Sequence, residues 1–534
     1  MRLVFAPIFG LILSTAALFA QGAPENLRIY PSQVTQTEPV LAASPVNPQL
    51  LFASAVTLNT QNGFKSEGVY VSSDGGQQWS GSDTCTGQLL VNHGGDPGVA
   101  ITPNGRLVLT HIGAVFTGLY SHYSTDLGAS WANAYTISSV QPEDKGGITM
   151  DGDPASPYYG RIYAGWVNFT NPFPVSSAYS TDSGESWSTP VPVNSPPPGR
   201  CSGGSLASGP GGRVYLTWAV VNPVAPFAED FAGFAVSSDG GVSWSVSQQI
   251  FDMSGINGSL PSKGNIRVNG LPRVAVDNSG GPRSGWIYIV TGEKNLAPAG
   301  SDPDIILHRS SDGGVSWSGG IRVNRDPLNN GKIQFFPALA VDQGGGVNVL
   351  FYDDRHTAGD SSEVWLARSS DGGETWEERV ISDHRFQPKP ILGGSSNYQG
   401  DHIALLAAGN RLHAAWMDDA AGIYQVWLAG IDIPPTALAP SAGRLPETAQ
   451  LLQNYPNPFN PETQISYQIE NASYVQLTVF NLHGERVINL IDEFQPAGWH
   501  HVELDGSELT SGVYFYRLRL NQQNSIVKKM VLLR

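Results

Sequence analysis

The sequence predicts an all-β chain, a β-propeller with seven blades preferred over six, followed by a small β-sandwich. Three observations predict it. Gly (61) and Pro (38) are abundant while charged residues make up only 14% of the 534, which suits many short strands joined by tight turns. No long stretch after the N-terminus carries apolar residues at helical spacing. The pattern Ser-x-Asp-x-Gly-x-x-Trp recurs six times. An apolar content of 40% is enough for a packed core.

The elements follow in chain order. Met1 and Arg2 precede an apolar run over 3–19 and then Ala20-Gln21, the layout of a secretory signal peptide over 1–20. The run is short for a membrane span of roughly 20 residues, and no second run follows. No transmembrane segment is therefore expected after signal cleavage. The segment 27–34 is a strand with no blade of its own.

The repeats come next. Their aspartates are Asp74, Asp126, Asp182, Asp239, Asp312 and Asp371, and their tryptophans Trp79, Trp131, Trp187, Trp244, Trp317 and Trp376. Such an Asp can accept hydrogen bonds from nearby backbone N–H groups and close a hairpin. The Gly permits a positive φ, and the Trp packs on the layer beneath. A pair of short apolar strands precedes each turn: 39–43 with 51–56, 98–101 with 107–111, 147–150 with 161–167, 204–207 with 214–220, 272–276 with 286–291, and 337–341 with 347–352. A seventh pair, 403–407 with 412–417, is followed by a single strand at 423–431. A four-stranded blade needs one more strand, and 27–34 supplies it by closing the ring. Closure removes the exposed sheet edges that invite aggregation.

The six turns resemble the Asp-box, or BNR repeat, of sialidases and related propellers, over residues 27–433. In that family the boxes lie on the face away from the active site. Sialidases of known fold have six blades, so seven is a departure. The family's Phe/Tyr-Arg-Ile-Pro motif is met here only as Arg28-Ile29-Tyr30-Pro31, in a different order and in the closing strand.

After a Pro/Ala-rich linker over 434–447, alternating strands over 448–534 predict a β-sandwich of roughly 80 residues. Asn454-Tyr455-Pro456-Asn457-Pro458-Phe459-Asn460-Pro461 and Ser511-Gly512-Val513-Tyr514 resemble the type A sorting domain of the type IX secretion system. The resemblance implies a Gram-negative source, handling by that machinery, and a secreted or outer-surface location.

The net charge of −16 argues against nucleic acid and anionic membranes as partners. Cys85 and Cys201 fall in different repeats and are expected not to pair. There is no nucleophile elbow, phosphate loop or dinucleotide fingerprint, and no histidine pair at metal-ligand spacing. Neither cofactor nor metal is expected, and the chain is expected to be a monomer.

A propeller binds ligands at the mouth of its central channel. The mouth loops hold Tyr352-Asp353-Asp354-Arg355-His356, Glu293-Lys294, Asp302 and Asp304, Glu229-Asp230, Arg267 and Arg273, Asp96, Asp144-Lys145, Tyr398, Asp401-His402 and Asp418-Asp419. The sialidase resemblance implies arginines for a substrate carboxylate, a Tyr–Glu nucleophile pair and an Asp acid/base. Guanidinium forks match carboxylates, and a Glu beside a Tyr can take its proton. The candidates are Tyr352, Glu293, Asp353 and Asp354 for catalysis, and Arg273, Arg355, His356 and Asp401 for substrate. The expected function is a secreted sialidase-like glycoside hydrolase acting on terminal acidic sugars of extracellular glycans. Two alternatives stand beside it. One is a non-catalytic propeller that binds glycans or proteins. The other is a seven-bladed endo-glucanase, or a polysaccharide lyase with His356 or His402 as base. The long interval between Asp239 and Asp312 contains residues 257–273, long enough to overhang the mouth.

Overall fold

In a computed structural model, the described residues are 24–61, 63–85, 93–114, 117–225, 227–392, 397–433, 450–451, 453–454, 456–469, 473–482, 484–495, 498–520 and 524–533. The expected signal peptide and linker lie outside them. The chain divides into two compact units, Met1–Leu438 and Ala439–Arg534.

The first unit is a β-propeller. Its described residues form seven four-stranded antiparallel sheets and one two-stranded ribbon. The innermost strands begin at Thr35, His93, Glu143, Arg200, Arg273, Gln334 and Ala404. Each neighbours the next, and the last neighbours the first, so the sheets form a ring. The seventh sheet is completed from the other end of the chain: Asn26–Arg28 pairs antiparallel with Gln425–Asp432, Leu27 opposite Leu428. The closing strand is thus shorter than the expected 27–34.

In five sheets the inner strand begins earlier than the expected 39, 98, 147, 204 and 337, and its ladder crosses a bulge. Register shifts fall between Thr37 and Val40, Gly95 and Gly98, Asp144 and Gly147, Ser202 and Ser205, and Phe335 and Ala338. Glu38 (φ 53°), Asp96 (φ 51°), Gly203 (φ 73°) and Phe336 (φ 52°) sit left-handed in four of them. A bulge leaves one residue unpaired and re-aims its side chain. For Glu38 and Asp96 this geometry costs about 1–3 kcal/mol each, a strain typical of functional positions.

The Ser-x-Asp turns join the third and fourth strands, at the strand ends opposite these bulges. Each turn is built alike. In the second sheet, Ser124 Oγ donates to Asp126 Oδ1 (2.8 Å), and Asp126 Oδ1 accepts from Ser130 N (2.9 Å). The tryptophan then reaches the preceding sheet. Trp131 lies 5.6 Å from Phe52 in the first sheet, Trp187 Nε1 donates to Ser121 Oγ in the second (2.9 Å), and Trp317 meets Phe234 in the fourth edge-on at 5.2 Å. Trp79, Trp244 and Trp376 lie in the apolar clusters shared with the seventh, third and fifth sheets. The seventh sheet has no such turn. Its junction with the sixth is filled by Tyr352, Phe386, Trp416 and Met417, together with Ile256, Leu260, Ile266 and Val268 from the ribbon interval.

Cys85 and Cys201 are buried and are not joined to each other by a disulfide. The second unit holds a three-stranded sheet (Gln450–Leu451, Glu462–Ile469, Gly498–Asp505) and a four-stranded sheet (Arg486–Gln495, Ser473–Phe480, Gly512–Leu520, Asn524–Leu532). Phe459, Tyr467, Val479, Tyr516 and Leu532 lie in its core. No helix among the described residues is long and apolar enough to cross a membrane.

Candidate functional site

A cavity of about 230 Å³ opens on the propeller axis, and all seven inner strands or their entry loops line it. Asp96, Arg273 and His402 are its ionisable wall residues, and Pro39, Gly147, Gly203 and Gly204 keep the wall narrow. A Cβ on Gly147 would sit 3.1 Å from the Gly204 carbonyl oxygen, tighter than most packed contacts, so small residues let the inner strands approach.

At the bulged end of this channel lies a charged cluster drawn from five parts of the chain. Glu38 comes from the first sheet, Asp96 from the second, Arg273 from the fifth, Arg267 from the ribbon, and Tyr398 and Asp401 from the segment entering the seventh. Glu38 is buried and accepts from Asp401 N at Oε1 (2.9 Å). The Tyr398 hydroxyl hydrogen-bonds to the same carboxylate. Burial, the charges of Glu38, Asp401 and Asp96, and that hydrogen bond hold Tyr398 well above the usual tyrosine range, so the phenol is neutral. Arg267 grips Asp401 with both limbs of its fork (Nε to Oδ1 3.1 Å, Nη2 to Oδ2 2.6 Å), and its guanidinium lies 5.2 Å from the Tyr398 ring centre. Burial opposes the charge on Arg267, but the Asp401 carboxylate outweighs it and the pKa rises.

Arg273 differs. Burial lowers its pKa against the fields of Asp401, Asp96 and Glu38. Among the described residues it has neither a hydrogen bond nor an ion pair within 4 Å. Its guanidinium thus feels three carboxylates without touching one.

The ribbon supplies Arg267 and crosses the mouth. Gly258–Leu260 pairs with Ile266–Val268 around Pro261–Lys263. Lys263 is buried and ion-pairs with Asp354 (2.8 Å), and Nζ also donates to the Ser361 carbonyl (2.8 Å). Arg267 N donates to the Asn397 carbonyl (2.7 Å). The interval that leaves the fourth sheet is therefore fastened to loops of the sixth and seventh.

The other expected residues fall elsewhere. The structure does not bring Tyr352 and Glu293 together. Tyr352 is 1% exposed, and its hydroxyl donates to the Met417 carbonyl (2.7 Å) and accepts from Met417 N (3.2 Å). Burial pushes its pKa well up, so it is a core residue rather than a nucleophile. Glu293 is buried, accepts from Thr291 Oγ1 (2.6 Å), and borders the root of the ribbon, as Glu229 does by accepting from Gly270 N (2.9 Å) and Asn257 N (3.1 Å). Asp353 holds Arg355 (Nε to Oδ2 2.7 Å). Arg355 turns outward to Glu378 on the outermost strand (3.0 and 2.8 Å) and over Trp365, where it braces the sixth sheet. Asp354 is the anchor of Lys263. His356 is exposed beside Trp365. Arg273 and Asp401 remain in the cluster.

Glu38 was missed because it precedes Pro39 and reads as loop. A signal existed: an acid–Pro pair opens the apolar segment of both the first and second sheets, at Glu38-Pro39 and Asp96-Pro97. No histidine pair shows metal-ligand spacing in the sequence, yet three histidines gather in space. His93, His111 and His122 come together in the second sheet.

Comparisons with known proteins add the following. Residues 453–533 match the family model of the secretion system C-terminal sorting domain, so the chain is exported to the cell surface or beyond. No curated protein matches the chain. Among solved structures, a protein of unknown function from Dyadobacter fermentans shares 12% identity, covering 77% of this chain and 99% of its own, with a TM-score of 0.45. A polysaccharide lyase of family PL25, an ulvan lyase bound to a glucuronate–rhamnose-3-sulfate unit, shares 12% identity over 76% of this chain and 96% of its own, with a TM-score of 0.49. A Hadza microbial sialidase shares 14% over 72% and 75%, with a TM-score of 0.40.

Proposed function

We propose that the propeller is an exported glycoside hydrolase acting on an acidic sugar, with its site at the channel mouth. Tyr398 is the nucleophile, Glu38 the base that takes its proton, Arg273 the receptor for the sugar carboxylate, and Asp96 the acid/base. One observation carries the reading: Tyr398 hydrogen-bonds to Glu38, whose charge reaches Arg273, a guanidinium without a direct partner among the described residues.

The chemistry follows from charge. A carboxylate nucleophile would be repelled by a sugar that carries its own carboxylate near the anomeric carbon. A neutral phenol is not. As Tyr398 attacks, its proton passes to Glu38, so no net charge is added to the acidic cluster. Asp401 fixes Glu38 through its backbone N–H, and Arg267 fixes Asp401. Asp96, held left-handed at the cavity wall, faces the leaving group, donates a proton to it, and later activates water. The bound carboxylate replaces the missing partner of Arg273.

The test uses the full chain on a fluorogenic sialoside, beside neutral and acidic polysaccharides. Release from the sialoside, reduced about 10²–10⁴-fold by Tyr398→Phe and by Arg273→Ala, and kept by Tyr352→Phe, is the expected result. Release that survives Tyr398→Phe defeats the assignment. His402 on the same wall supports a second reading, elimination from a uronate with His402 as base and Arg273 neutralising the carboxylate. That reaction yields an unsaturated, ultraviolet-absorbing product from polyuronates and no release from the sialoside.

A further inference from the structure

We infer that His93, His111 and His122 form a site for a single divalent transition-metal ion, Zn²⁺ by ligand chemistry, with Glu67 as the carboxylate that orients it. The three imidazoles come from the first three strands of the second sheet (His93–Ile101, Leu107–Gly113, Leu119–Ser124), and Glu67 from the facing strand Phe64–Ser72 of the first. All four side chains are buried.

The hydrogen bonds decide where the lone pairs point. His111 Nδ1 lies 2.7 Å from the Ile112 carbonyl oxygen, and His122 Nδ1 lies 3.0 Å from that of Ala132. A carbonyl only accepts, so each Nδ1 carries the hydrogen. In the neutral tautomer each Nε2 is then a bare acceptor. These two Nε2 atoms face one another at 3.2 Å. Two lone pairs do not approach so closely inside a core unless a positive species lies between them. A tetrahedral ion with Zn–N bonds of 2.0–2.1 Å sets its ligand nitrogens about 3.3 Å apart, which matches the observed separation.

The remaining groups complete the set. One ligand nitrogen from each of the three histidines lies within 4.8 Å of the others; the His93 ring is stacked on that of His111 (centroids 3.9 Å apart, planes 3° apart), so His93 turns out of that stack to bring its lone pair to the ion held by the other two. His93 Nδ1 meets Glu67 Oε2 in a close contact. The Nδ1–H bonds to carbonyl and carboxylate are the outer shell that ligating histidines carry. Glu67 Oε1 is buried without a hydrogen-bond partner, an orphan that an adjacent cation relieves. Imidazole nitrogens with a carboxylate favour zinc over magnesium or calcium, which prefer oxygen.

The position gives the ion a task. It would tie the first sheet to the second three residues ahead of Asp96, so that the left-handed bulge at the mouth is held from behind. None of the four side chains lines the cavity, and the ion's role is structural.

The experiment is metal binding by the full chain. Protein stripped with a chelator and dialysed is titrated with Zn²⁺ and, in parallel, with Co²⁺. One equivalent bound, the visible spectrum of tetrahedral Co²⁺, and a melting temperature raised by several degrees are expected. His111→Gln/His122→Gln should lose the Co²⁺ band. Should that variant not fold, zinc-edge X-ray absorption on the wild type decides: a shell with imidazole scattering supports the site, and an oxygen-only shell overturns it. Failure of the stripped wild type to bind either ion, or an unchanged Co²⁺ spectrum in a folded double variant, also overturns it. A shared proton then holds the pair, or the ion sits elsewhere.

Discussion

Six junctions between adjacent sheets carry a tryptophan from a Ser-x-Asp turn, whereas the junction of the sixth and seventh sheets carries none. At the six, an indole on a self-contained hairpin leans onto the preceding sheet, and any neighbour with an apolar patch will serve. At the seventh, the filling comes from far along the chain: Ile256, Leu260, Ile266 and Val268 from the ribbon, with Tyr352 and Trp416 from the two sheets. The ribbon that fills this junction also carries Arg267 into the charged cluster. The difference teaches where function was fitted: the repeat holds the ring, and the one place without the repeat holds the insertion that shapes the mouth.

Lys263→Met offers the hardest blow to this comparison. It strands the buried Asp354 charge and should cost about 3–5 kcal/mol, with turnover falling as Arg267 loosens. Chemical denaturation and activity on the same preparation check it, and a loss below 1 kcal/mol would mean that the ribbon is only draped over the mouth. Trp131→Ala should cost less, about 2–3 kcal/mol, because its ring is half-buried where fully buried aromatic deletions cost about 3–5 kcal/mol. Its effect should resemble that of Trp317→Ala and leave turnover intact. Tyr352→Phe removes two hydrogen bonds to Met417, about 1–2 kcal/mol, with no effect on turnover. A large catalytic loss there would return Tyr352 to the site.

The smallest effect is in acid. A hydrogen bond from Ser130 Oγ, then one from its backbone N–H, holds Asp126 at about 2, and Ser316 does the same for Asp312. The unfolded value is near 3.9, so the unfolded chain binds more protons between those limits. This contribution is complete above about pH 4 and disappears as pH falls through 2. Asp126→Asn should therefore flatten the fall in melting temperature between pH 4 and pH 2, and an unchanged slope would show that the turn aspartate contributes nothing there.

Much of the scaffold was legible because its signals are local. The turn motif sets a hairpin wherever it occurs, and the inner and second strands lie where alternation and turn residues put them. The bulges were not legible. Proline removes an N–H donor and reads as the end of a ladder, yet the unpaired position in a bulge tolerates it, so pairing resumes at Thr35, His93 and Gln334. That displaced Glu38 from view. Tyr352 misled for another reason: every residue of Val347–Asp353 is buried, so alternation could not say which face met the channel. Arg355 sits at a mouth position in sequence, but the carboxylates of Asp353 and Glu378 draw it outward. The length of 257–273 showed that it could overhang, while its fastenings to Asp354 and Asp401 depend on loops more than ninety residues away. The histidines share no short spacing, because three strands bring them together.

The pairing of Asn26–Arg28 with the last sheet fixes the order of events in biogenesis. Gln36 Oε1 accepts from Val426 N across 390 residues of chain, and by length alone closing such a loop costs about 5 kcal/mol. No partial product of synthesis that stops short of Gln425–Asp432 can seal its edges. The export address over 453–533 emerges later still. A chain cut short before its final strand thus lacks both its seal and its passport, and the type IX route receives only molecules that are able to close.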